Sequence, residues 1–361
     1  MKKTFALLIA ALLMFGVVFT GCAQQPAAEE PAATESAASE EPASTESAAS
    51  EETAASDDKY EIVLIAKVEG IAWFDDTRVG VEEFAATHAD VKAQQIAPEA
   101  ADSAQQIALI EDCIARGVDA ITIIPVDPDS LTSVIKKARD AGIVVITHEG
   151  SSLAGTADYD MEAFDNEAFG ALYGENLAQA MGGKGKYLGM VGSLTMQTHN
   201  VWYQAAVKHI KENYPDMELV AEEPYEDGID STVAYQKAQE IMKAYPDLGG
   251  VLTMTVEGGG SFAKLLKETN NTNVKISTLA IPSSNGNYIA EGWISYGQCW
   301  RPADAAYVMC NIAYKMLQGE AIEDGVDLEK DGYNSVKVVD GIIYGDAAVT
   351  FTKDNIADYN F

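Results

Sequence analysis

From Tyr60 onward the chain alternates short apolar, β-branched runs with amphipathic helical segments, and it does so twice. The first series is YEIVLIAK (60–67), a helix from about Trp73 to Thr87, VKAQQI (91–96), the helix SAQQIALIEDCIARG (103–117), DAITIIPV (119–126), the helix LTSVIKKARDAG (131–142) and IVVITHEG (143–150). Runs this short and apolar, separated by helices, specify a parallel sheet covered on both faces. Arg116-Gly117 ends its helix with a favourable dipole partner and a left-handed cap. The rhythm restarts with AFGALYGENLAQAMG, KYLGMVGS, NVWYQAAVKHIKENYP, MELVAEEPY, STVAYQKAQEIMKAYP, LGGVLTM, GGSFAKLLKET and VKISTLAI. The fold class is therefore α/β, with one doubly wound, Rossmann-like architecture used in two successive lobes. A last strand, WISYGQCW (293–300), and the helix ADAAYVMCNIAYKMLQG (303–319) precede what reads as an irregular acidic tail.

The N-terminus has a different character. Lys2 and Lys3 precede an apolar run from Phe5 to Phe19, and Thr20-Gly21 puts small residues before Cys22. The run is too short for a comfortable membrane span and reads as an export signal over residues 1–21. VFTGC resembles the bacterial lipobox, in which the cysteine is acylated; the alternative is an ordinary cleaved signal with an incidental Cys22. Residues 22–58 follow, almost wholly Ala, Ser, Glu, Pro and Thr after the cysteine. Such a segment cannot bury enough apolar surface to offset its ordering entropy, and it is expected to be a disordered acidic tether.

The leader contributes +2 and the tether −10, leaving −24 of the total −32 for residues 59–361. That balance argues against nucleic acid and against docking on anionic lipid. With Cys22 lipidated, Cys113, Cys299 and Cys310 remain, an odd number that cannot all pair internally. Cys113 and Cys310 fall on apolar helical stripes and read as buried small hydrophobes. No zinc-type spacing and no G-x-S-x-G nucleophile motif is present. Glu257-Gly258-Gly259-Gly260 lacks the Lys-Ser or Lys-Thr of a nucleotide loop; those glycines are expected to let a strand turn tightly into a helix beginning at Ser261. No catalytic residue, metal or cofactor is expected.

Six segments, in order, carry a family likeness: AKVEGIAWFDDTRVGVEEFA (66–85), DAITIIPVDPDSL (119–131), VVITHEG (144–150), DMEAFDNEAFG (160–170), GQCWRPADAAY (297–307) and FTKDNIADYNF (351–361). Through them the chain resembles the sugar-type (type 1) periplasmic binding proteins of ABC importers, nearest to the branch holding autoinducer-2 and rhamnose binders. The resemblance implies a hinge of three crossings, here near Glu149, Trp300 and Asp324. The N-terminal lobe would then be 59–149 plus 300–324, and the C-terminal lobe 150–299 plus 325–361. It also implies a monomeric receptor outside the cytoplasm, which the lipobox likeness would hold to the membrane through Cys22. Such a receptor captures a small neutral sugar or polyol between its lobes and delivers it to ABC permease subunits without turnover. Autoinducer-2 binding or sensing is the alternative use of the same cleft. The rival class is a secreted enzyme on the same kind of fold.

Ligands of open α/β sheets sit beyond the carboxyl ends of the strands. Sugars ask there for flat aromatics and for charged or forked hydrogen-bonders. Lys67 ends the first strand, where the autoinducer-2 binders contact ligand; otherwise it is a solvated strand end. Trp73 and Phe74 match an aromatic pair that stacks on sugar rings in ribose-type members, one of them facing the cleft. Glu149 stands where the family usually carries Asp, one methylene longer, and is either a hydroxyl acceptor or a hinge salt bridge. Thr198 and His199 replace the Asp-Gln of autoinducer-2 binders, and Met254 and Val256 replace their Pro and Ala. Trp300 falls where members present Trp or Gln to the ligand. Asp127, Met254 and Asp304 complete the candidates, Asp127 and Asp304 being equally placed to serve helix starts.

Overall fold

The computed structural model describes residues 59–361; the leader, Cys22 and the acidic segment lie outside the described residues. In the first series the strands are β1 (Tyr60–Ile65), β2 (Val91–Ile96), β3 (Ala120–Ile123), β4 (Val144–His148) and β5 (Tyr159–Glu162). Helices α1 (Ala72–Thr87), α2 (Ser103–Arg116) and α3 (Pro128–Asp140) connect the first four strands. After α4 (Asn166–Met181) come β6 (Lys184–Val191), α5 (Gln197–Asn213), β7 (Asp216–Leu219), β8 (Tyr225–Glu226) and α6 (Ser231–Ala244). The second series closes with β9 (Leu248–Thr253), α7 (Val256–Thr269), β10 (Lys275–Leu279), α8 (Pro282–Ala290) and β11 (Tyr296–Cys299). Then follow α9 (Pro302–Leu317), β12 (Lys337–Val339), β13 (Ile342–Tyr344) and β14 (Val349–Phe351).

Two sheets result, ordered β12-β13-β5-β4-β3-β1-β2 and β14-β11-β10-β9-β6-β7, with β8 beside β6. The pairing is parallel except where β12 meets β13 and β14 meets β11. The central strands are buried along most of their length because helices cover both faces, which is why they read as continuous apolar runs rather than alternating ones. One hydrophobic core extends through both lobes, and a second fills the face of the first sheet under α2 and α3. Cys113, Cys299 and Cys310 are all buried and unbridged.

The chain changes sheet after Glu162, after Cys299 and between Tyr344 and Val349. The crossings expected near Glu149 and Asp324 therefore fall later. The reason is that β5 and the β12–β13 hairpin extend the first sheet past the strand where it was expected to end. The supposedly irregular tail thus contains three strands. Its hairpin turns on Asp340-Gly341, with φ of 51° and 82°, the two-residue turn whose twist suits antiparallel neighbours. The glycine run also differs from expectation: α7 already begins at Val256, capped by the Thr255 side chain, so Gly258–Gly260 lie inside the helix. Close approach explains Gly259, where a Cβ would stand 2.1 Å from Thr278 Oγ1 on β10.

Candidate ligand-binding site

Strand order reverses direction about the first strand of each lobe, since β1 lies between β2 and β3 and β6 between β7 and β9. Loops leaving the carboxyl ends of strands at such a point diverge and leave a crevice. The two crevices share one cavity. The first lobe lines it with Lys67, Ile71, Trp73, Phe74 and Glu149, and the second with His199, Ile229, Thr255, Val256, Glu257 and Leu279. The cavity is small, about 30 Å³. One or two waters fill a space that small, so the lobes stand close together and a larger guest must part them.

Helices α1 and α5, which follow β1 and β6, start without a side-chain cap, while α2, α3, α4, α6 and α7 are capped by Asp or Thr. Their positive ends thus remain available to oxygen atoms. Lys67 Nζ donates to Glu149 Oε2, and the pair is 3 % and 5 % exposed. Burial works against the Glu149 charge, but the Lys67 ammonium beside it outweighs burial and holds the carboxyl below its ordinary pKa. Glu149 has φ 59°, a left-handed conformation that a non-glycine residue adopts only when its surroundings demand it. The adjacent His148 donates from Nδ1 to the Met161 carbonyl at 2.6 Å, leaving Nε2 3.9 Å from Glu149 Oε1.

His199 supplies a neutral group. The Gly192 N–H donates to its Nδ1 at 3.2 Å, so the neutral ring carries its proton on Nε2. Burial, with Lys67 adding to it, lowers the ring pKa to about 3. The imidazole lies over Trp202 with centroids 5.6 Å apart.

Of the residues singled out in the sequence, Lys67, Trp73, Phe74, Glu149 and His199 converge on the cavity. Thr198 stands beside it, its hydroxyl donating to the Glu149 carbonyl at 2.9 Å and so linking the lobes. Trp300 stands one ring back, meeting Trp73 edge-on at 4.8 Å and Phe164 at 5.2 Å. It follows β11 directly, and packing at the crossing, not contact with the cavity, absorbs its face. Met254 is wholly buried in the core. Asp127 caps α3, accepting from the Asp129 N–H, and Asp304 pairs with Arg301 at 3.2 Å in the first turn of α9.

The second lobe adds residues the sequence reading passed over. Thr255 follows β9; its hydroxyl donates to Asp227 and accepts from the Gly258 N–H at 3.0 Å. Asp227 is fully buried and also accepts from the Ile229 N–H at 2.9 Å; burial pushes its pKa up to about 6 despite those bonds. Burial, with the Asp227 charge adding to it, brings Glu257 to about 7. The end of the run LGGVLTM marks 255–257 once the strand-end rule is applied to β9, whereas nothing local distinguishes Asp227 or Ile229. Among the described residues there is no cluster of metal-ligating side chains, and no helix is long and apolar enough to cross a membrane.

Two α/β lobes that close on a cavity lined from both sides define a two-lobed solute receptor. Residues 62–321 match the family model described as a periplasmic binding protein domain, and the chain belongs to that family, the type 1 sugar-binding proteins of ABC transporters, which bind solutes outside the cytoplasm and are not enzymes. The ribose import binding protein RbsB of Salmonella typhimurium is 23 % identical over 223 residues, 61 % of this chain and 73 % of that protein. A putative rhizopine-binding protein of Rhizobium meliloti is 35 % identical over 135 residues, 35 % of this chain and 43 % of that one. Among solved structures, LsrB from Clostridium saccharobutylicum in complex with AI-2 superposes with a TM-score of 0.77 at 22 % identity, covering 83 % of this chain and 100 % of that one. An ABC transporter solute-binding protein from Clostridium phytofermentas with bound L-rhamnose gives 0.76 at 20 % identity, covering 83 % and 98 %. At such identities the structural likeness establishes the fold alone.

Proposed function

We propose that this protein is a lipid-anchored receptor that captures a small neutral monosaccharide or related polyol between its lobes and delivers it to the permease subunits of an ABC importer. One observation carries the reading: the Lys67–Glu149 pair, the neutral imidazole of His199 and the rings of Trp73 and Phe74 meet in one cavity at the carboxyl ends of both sheets. Charged acceptor and donor suit hydroxyls, and flat rings suit the C–H faces between them. Among the described residues no arginine lines the cavity, which disfavours a phosphate. Relatives named for ribose, and a neighbour holding L-rhamnose, bind small molecules of this class. Anchoring rests on the lipobox likeness at Cys22.

Autoinducer-2 binding is the second reading, favoured by the fold likeness to LsrB. Against it stand His199 and Val256, which line the cavity where the resembling binders carry other residues. A thermal-shift panel of pentoses, hexoses, deoxy sugars and autoinducer-2 separates the two. A ligand at 100 times its dissociation constant stabilises by about 2.7 kcal/mol. No shift with any sugar would overturn the sugar reading. Labelled fatty acid should enter the protein in cells and not its Cys22→Ala variant; equal labelling removes the anchor. Co-purification with permease subunits favours import over sensing.

A further inference from the structure

We propose that the second lobe selects a ligand presenting a methyl or other deoxygenated carbon to it, and that Ile229, held in place by Asp227, makes that selection. The inference rests on the cavity being a sugar or polyol site.

The two walls differ in chemistry. Lys67 and Glu149 of the first lobe offer charge, whereas the second lobe presents Ile229 from the loop after β8, Val256 from the start of α7 and Leu279 from the end of β10. The polar groups of this second wall are the His199 ring, the Thr255 hydroxyl and the Glu257 carboxylate, set apart from the three aliphatic side chains. The Thr255 hydroxyl is occupied by Asp227 and by the Gly258 N–H, and Glu257, like Val256 beside it, also borders an outer groove with Ser231 and Lys264, which puts both at the mouth. A ligand hydroxyl turned toward the three aliphatic side chains would lose water and gain no partner. A methyl group there would lose nothing.

Backbone geometry makes Ile229 a deliberate feature. Its φ is 55°, and a β-branched residue in the left-handed region is a genuine outlier. Glycine or asparagine would sit there with little strain, so the isoleucine is retained against a conformational cost. Three hydrogen bonds hold it: Asp227 Oδ1 accepts the Ile229 N–H, Asp227 N–H donates to the Val191 carbonyl at 3.0 Å, and Gly228 N–H donates to the Gly192 carbonyl at 2.8 Å. The other Asp227 oxygen takes the Thr255 hydroxyl, next to Val256. One buried carboxylate thus positions two of the three aliphatic wall residues, and Asp227 is a positioning residue rather than a ligand contact.

The test is calorimetric titration of the purified full chain with matched sugars: L-rhamnose against L-mannose, and D-fucose against D-galactose, each pair differing by one hydroxyl. In a pair that binds, the deoxy member should bind at least ~10-fold more tightly. Ile229→Asn, which tolerates the left-handed backbone, should bring the ratio close to one, and Ile229→Gly, which removes strain and side chain together, should do the same. Asp227→Asn should lower the ratio, a readout that a purely structural role would leave unchanged. Equal binding of both members by the parent overturns the inference, as does a ratio that survives in both Ile229 variants. Binding of pentoses with none of these four hexoses also overturns it. Failure of every sugar instead removes the reading beneath it.

Discussion

Lys67 and Glu149 leave strands that do not touch, since β3 runs between β1 and β4, yet their side chains meet as a buried ion pair inside the cavity. The pair presents both a charged donor and a charged acceptor to any guest, and it also fills space that a guest would need.

Breaking this pair on one side should cost more than removing it. Lys67→Met leaves Glu149 buried without a counter-charge, and the expected loss is about 3–5 kcal/mol. Lys67→Met combined with Glu149→Gln should recover most of that stability while abolishing ligand binding. Urea unfolding of both variants checks this; a double variant as unstable as the single one would contradict the ion-pair account.

Two buried groups impose opposite pH dependence. Asp227 titrates near 6 in the fold against an ordinary 3.8, so its stabilising contribution is complete below about 3.8 and lost as pH rises through about 6. His199 titrates near 3 against 6.5, so its contribution is complete above 6.5 and lost as pH falls toward 3. Between pH 4 and 6 the slopes oppose. Asp227→Asn should therefore make the thermal midpoint climb more steeply with pH, and His199→Gln should tilt it downward. Variants whose profiles run parallel to the parent across this window would show the assignments to be wrong.

Helical glycines should respond in opposite senses. Gly286 in α8 has its nearest neighbour 3.7 Å from an added Cβ, so Gly286→Ala should stabilise by up to about 1 kcal/mol through helix propensity. Gly259→Ala meets Thr278 at 2.1 Å and should instead lose about 1–3 kcal/mol through overpacking. Thermal midpoints of the two variants, moving in opposite directions, are the expected result.

Closure depends in part on hydrogen bonds between lobes, the Thr198 hydroxyl to the Glu149 carbonyl and the Ser152 N–H to the Gln197 side chain among them. Thr198→Val removes the donor to the Glu149 carbonyl and should cost about 1 kcal/mol of the closed form. Solution scattering should show a more expanded variant that compacts with a higher concentration of bound sugar than the parent needs. A profile identical to the parent at every concentration would mean the bond does not hold the lobes.

Elements with a strong local pattern were legible. YEIVLIAK, DAITIIPV and IVVITHEG became β1, β3 and β4, and the helix expected from Trp73 to Thr87 runs from Ala72 to Thr87. Lys67, Trp73, Phe74 and Glu149 could be placed because they directly follow such strands, and a strand end fixes where a side chain can go. The Asp340-Gly341 hairpin was equally legible, flanked by Val338-Val339 and Ile342-Ile343, and was missed only because the surrounding segment is acidic and short of long apolar runs.

By itself the sequence determined the alternation of strands and helices, the two-lobed architecture and the strand-end residues of the first lobe, because period and apolar run length are local properties of the chain. Tertiary structure alone decided that the β12–β13 hairpin belongs to the first sheet, since β13 pairs with β5 from about 180 residues further along the chain. It also decided that Trp300 packs behind Trp73 while His199 reaches the cavity, and that Asp227 holds Ile229 and Thr255. A side chain's neighbours and its access to solvent are set by distant elements folding against it, and no local pattern in the chain encodes them.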